Sequence, residues 1–189
     1  MTVISALSPN QIAGLSTTAI QGLTTTDIQS LATTQVAALT AAQVNILNST
    51  DIQALFATQV AALSPSIISA LLTLQVQNFT STQVSALTAT EISALTPGQV
   101  GQLTTTEIGT LTATQVGGLT SSQINALSTA KFDALTSTTG IPNLSTSAIA
   151  GLTATEISSL TTTQGNAFTP AQISAMSVAQ LNALITLVG

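Results

Sequence analysis

The side chains able to do chemistry are few. Carboxylates stand at Asp27, Asp51, Glu91, Glu107, Asp133 and Glu156, and the single cation is Lys131; the 189-residue chain has no Arg, His, Cys, Trp or Tyr. Acid–base catalysis needs paired titratable groups, nucleophilic catalysis an activated side chain beside a base, and a metal centre several convergent ligands. A calcium or acid–base site here would have to gather carboxylates from points sixteen or more residues apart. All except Asp133 occupy one place in a repeating phrase, which gives them a repeated structural task instead. No catalytic residue, metal site, cofactor or small-molecule substrate is expected. Lys131 and Asp133 read as a solvated local pair.

The phrase has eight letters, as in Leu103–Thr110, LTTTEIGT. A large apolar residue opens each octad from Leu7 to Leu135; a nine-residue step, LTSTTGIPN, spans 135–143, and the register resumes at Leu144 and runs to Leu184. The expected organisation is one repeat domain over 1–189: octads at 7–134, the irregular step, octads at 144–183 and an apolar end at 184–189. A short fixed period of this kind marks a solenoid or array, in which each unit contacts only its neighbours along the axis.

Numbering the octad from its leading Leu, position 2 is nearly always Thr or Ser, position 5 is mostly Gln, Glu or Asp, and position 6 is mostly Ile or Val. A Thr or Ser followed three residues later by Glu or Gln is a capping box, which satisfies two orphan N–H groups at the start of a helix. Thr24 with Asp27, Thr88 with Glu91, Thr104 with Glu107 and Thr153 with Glu156 are the clearest pairs. The apolar residues on either side, such as Leu103 and Ile108, fit a hydrophobic staple. Pro9, Pro65, Pro97 and Pro170 all fall at position 3, the first helical residue, where proline is tolerated. Glycine gathers at positions 7 and 8, where a helix should end.

The fold expected is therefore all-α: a solenoid or superhelix of very short capped helices, one per octad. The alternative is a β-solenoid with two octads per coil, since Thr, Ile and Val also favour strands. Proline within stacked strands and the facing of position 6 count against it. Helices of two turns are unstable alone, so stacking must hold them, with positions 1 and 6 inward and small residues at position 8 allowing close approach. The octad does not state how many repeats make one coil. Phe56, Phe79, Phe132 and Phe168 are expected to fill core positions.

Positions 3, 4 and 7 then face outward. Position 4 carries Thr18, Thr26, Thr34, Thr50, Thr58, Thr82, Thr90, Thr106, Thr114, Thr155 and Thr163. This is a possible surface Thr array; the plainer reading is a small polar residue tolerated beside a cap.

A formal net charge of −5 excludes the clustered cations that bind nucleic acid. Polar residues interrupt every octad, so no membrane span is expected. The opening MTVISALSPNQ lacks a basic n-region, so no cleaved signal peptide is expected in this chain.

The octads resemble the LTxxQ[IV]xA tracts of large secreted or surface-displayed bacterial proteins, similar to adhesins and other type I-secreted proteins. Leu95-Thr96-Pro97-Gly98-Gln99-Val100 also resembles the opening of a TAL-effector repeat, but those repeats are longer and carry base-reading loops and basic residues missing here. The first resemblance implies a non-enzymatic, extracellular or cell-surface structural repeat, a spacer, stalk or fibre-forming segment that associates with itself end to end or laterally. An ice-binding protein using the Thr array and a peptide- or glycan-binding scaffold are the alternatives. The apolar end, with Leu181, Leu184, Ile185, Leu187 and Val188, is expected to bury itself against a neighbouring copy.

Overall fold

The computed structural model describes residues 3–189. Met1 and Thr2, part of the repeat domain expected over 1–189, lie outside the described residues. Those residues form twenty-one α-helices and two 3-10 turns, with no strand among them, which removes the β-solenoid alternative. Each octad yields one α-helix of four to six residues, for example Thr25–Ser30, Ala89–Ala94 and Thr105–Gly109; the terminal helix, Val178–Val188, is longer. The physical reason is the cap. Position 2 is extended, with Thr104 at φ −73°, ψ 163°, and its hydroxyl accepts the N–H of position 5. This bond starts a helix in most phrases before a strand could propagate; where position 2 is Ala32, Phe56 or Leu72, the position-5 Gln still accepts the backbone N–H of that residue. Proline stands in the first turn at Pro9, Pro65, Pro97 and Pro170.

The chain divides into two compact units, Met1–Leu87 and Thr88–Gly189. Within the first, positions 1 and 6 make the core: Ile28, Leu31, Val36, Leu39, Val44 and Leu47 are all buried. The second repeats the pattern with Ile92, Leu95, Val100, Leu103, Ile108 and Leu111. Phe79, Phe132 and Phe168 are core residues, whereas Phe56 is 53% exposed because it occupies the cap position of its octad.

The glycines do not serve as left-handed helix ends. Gly14, Gly22, Gly101 and Gly118 cap their helices at right-handed φ, and no described residue has positive φ. At two positions the value of glycine is size. A Cβ on Gly118 would collide with the Ala89 backbone, and one on Gly151 with the Ser121 backbone, so these are points where successive turns of the superhelix touch main chain to main chain.

In the second unit the terminal helix folds over its own chain. Gly165 stands where most octads carry Ile or Val, and a side chain there would overlap Val188, Leu187 and Leu184. Leu184 is buried, while Ile185 is 64% exposed. Three of the apolar residues expected to cover a second copy thus pack against the chain that bears them. The nine-residue step forms a turn and a 3-10 segment, Ile141–Asn143, with Ile141 fully buried, so it keeps the core continuous.

Candidate functional site

The expected capping pairs close on themselves. The Thr24 N–H donates to Asp27 Oδ2 at 3.0 Å and the Asp27 N–H to Thr24 Oγ1 at 3.2 Å. Thr88 and Glu91 do the same at 2.7 and 3.2 Å, Thr104 and Glu107 at 2.8 and 3.2 Å, and Thr153 and Glu156 at 2.7 and 3.2 Å. Most helix residues at position 5 are nonetheless buried, with Gln59 2% and Glu91 3% exposed, which a cap alone does not require.

The glutamines show why. Gln59 Oε1 accepts the Phe56 N–H at 2.7 Å, and its Nε2 donates to the carbonyls of Ile28 and Leu31, both at 2.8 Å. Those carbonyls belong to the C-terminal end of a helix one superhelical turn away, where a helix leaves its last acceptors unpaired. One amide therefore satisfies an orphan donor of its own helix, reaches the Leu31 carbonyl of the adjacent turn and adds a second donor to the Ile28 carbonyl, which also accepts the Leu31 N–H at 3.3 Å. The same fork joins Gln35 to Ile4 and Leu7, Gln43 to Ile12 and Leu15, Gln75 to Val44 and Leu47, and Gln83 to Ile52 and Leu55. In the second unit Gln123 reaches Ile92 and Leu95, Gln164 reaches Asp133 and Leu135, Gln172 reaches Ile141 and Leu144, and Gln180 reaches Ile149 and Leu152. In the regular octads the bonds span 31 and 28 residues, which places one turn between three and four octads.

Other residues at position 5 perform part of this task. Asp27, Asp51, Glu91, Glu107 and Glu156 accept as caps but carry no N–H to give. Lys131 is the converse: its Nζ donates to the Gly101 carbonyl, and its helix has no side-chain cap bond. Lys131 and Asp133 are not the local pair that their spacing suggests, because Asp133 Oδ1 accepts from Ser159 Oγ at 2.7 Å on the opposite side. Ala19, Ile67 and Ala148 neither accept nor donate.

The amide clamp went unread in the sequence, although a signal was present. A capping box works with Glu as well as Gln, so a preference for Gln at a buried position announces the need for a donor.

Outside, Thr18, Thr26, Thr34, Thr50, Thr58, Thr82, Thr90, Thr106, Thr114, Thr155 and Thr163 are all exposed, each as the second helical residue. No group of three or more metal-ligating side chains comes together among the described residues. No helix among them is long and apolar enough to cross a membrane.

These features define a helical repeat protein of solenoid type, stabilised by caps within octads and clamps between turns. Residues 92–129 match the model of the ALTTAQ repeat, whose six letters correspond to positions 8, 1, 2, 3, 4 and 5 of the octad; Ala38-Leu39-Thr40-Ala41-Ala42-Gln43 differs from them only at position 3. No curated protein matches the chain.

Proposed function

We propose that this chain is a non-enzymatic structural repeat, a spacer or stalk segment of a bacterial surface protein that works outside the cell. The observation that carries the reading is the assignment of position 5. The recurrent buried polar side chains are engaged in capping and clamping, which leaves the exposed positions 3, 4 and 7 mostly to small, neutral residues, with Leu74 and Asp133 as exceptions. Such a surface tolerates solvent and lateral neighbours, and self-association runs side by side through it, since low charge offers little repulsion. End-to-end contact would depend on Val178 and Ile185, the large apolar residues of the terminal helix left exposed.

Protease treatment of intact cells, followed by detection with an antibody against the repeat, tests the location. Full protection in intact cells together with digestion after lysis would refute it. Ice binding requires threonines aligned on one flat face, whereas a turn of between three and four octads staggers position 4 from one turn to the next. Absence of thermal hysteresis from the purified chain is the expected outcome.

A further inference from the structure

The clamps are not evenly distributed, and in the second unit they fail over one continuous stretch. Position 5 of the octads opened by Leu144 and Leu152 is filled by Ala148 and Glu156, and in the nine-residue step before them Gly140 stands eight residues ahead of Ala148; none of the three offers a side-chain amide donor. By the register that Gln164 keeps, 31 and 29 residues across the step, these places lie over the turn that carries Ile108–Leu127. A side-chain bond across this interface is a long one, Asn125 Nδ2 to the Gly151 carbonyl at 3.4 Å. Clamping resumes immediately beyond it, where Ser159 holds Asp133 and Gln164 holds Asp133 and Leu135.

A second observation falls at the same place. A cavity of about 460 Å³ opens here, lined by Ser121, Ser122, Asn125 and Ala126 from one turn and Ala150 and Gly151 from the next, with Pro97 of the preceding turn at its edge. At Gly151 the two backbones touch, so the interface pairs a tight pivot with an open, unclamped flank.

We propose that the interface between residues 108–127 and residues 140–156 is a built-in joint, where the superhelix of the second unit bends or opens first. The inference does not depend on the chain's location and would stand if the surface-stalk reading failed. Helices this short survive only while stacked, so opening the joint exposes their amides to exchange together.

Hydrogen exchange on the full chain tests it. Amides in residues 108–127 and 144–157 are expected to exchange about three- to tenfold faster than those in residues 28–60, the scale of one or two net hydrogen bonds. Glu156→Gln, which supplies the missing donor to the carbonyls of Asn125 and Leu127, should slow the joint about threefold or more. Gln164→Glu should extend the fast stretch to residues 127–135. Uniform exchange along the octads, or a joint unaffected by either variant, would overturn the proposal.

Discussion

Residues 28–60 and residues 108–156 use the same phrase and differ in how their turns adhere. In the first stretch Gln59 holds Ile28 and Leu31 through two 2.8 Å bonds. In the second, Gly140, Ala148 and Glu156 stand where such amides would be, and one 3.4 Å bond from Asn125 crosses the gap. Helices form in both because caps act within an octad. Cohesion differs because it rests on one atom, the donor nitrogen at position 5, that an acidic residue lacks. The comparison separates what makes a helix from what makes a superhelix.

The strongest way to break the contrast is to convert the clamped region into the unclamped kind. Gln59→Glu keeps the cap but sets a carboxylate oxygen against two buried carbonyls, and it should cost about 2–4 kcal/mol, read as a lowered denaturation midpoint. An unchanged midpoint would mean that the clamp bonds are incidental.

Next in size is Gly151→Ala, which drives a Cβ into the Ser121 backbone at the pivot of the joint. It should cost about 1–3 kcal/mol and loosen residues 117–126 in exchange. If thermal melts show it to be stabilising, the turns do not touch there.

Glu156→Gln works in the opposite sense and should add about 1 kcal/mol of stability. Thr104→Ala tests the level below, removing a cap without touching a clamp. It should cost about 1 kcal/mol, with exchange rising mainly in its own helix, Thr105–Gly109. The smallest effect belongs to the exposed array: Thr106→Val should change stability by no more than about 0.5 kcal/mol. A large loss in chemical denaturation would show that the outer threonines carry structure.

Much of this architecture is legible in the octad itself. Thr104 and Glu107 are three residues apart and need no distant partner to bond, so the capping box, the helix and its start can be read directly. Pro9, Pro65, Pro97 and Pro170 mark the same boundary. Burial of positions 1 and 6 follows from the apolar period. Phe56 misleads because aromatic residues normally fill cores, yet its place in the phrase is a cap and its ring lies outside. Lys131 and Asp133 mislead because proximity in sequence suggests a pair, whereas each side chain is drawn to a different neighbouring turn.

The sequence by itself determined the repeat, the helix in each repeat and the inward and outward faces, since all three depend on bonds and periodicities within about eight residues. Tertiary structure decided the length of a superhelical turn, the Gln59-type fork across 28 and 31 residues, the close approach at Gly118 and Gly151, and the fit of Leu184, Leu187 and Val188 over Gly165. Each of these joins residues that meet only after many small rotations from helix to helix have accumulated. No single octad encodes that sum, and only the closed turn shows which donor faces which acceptor.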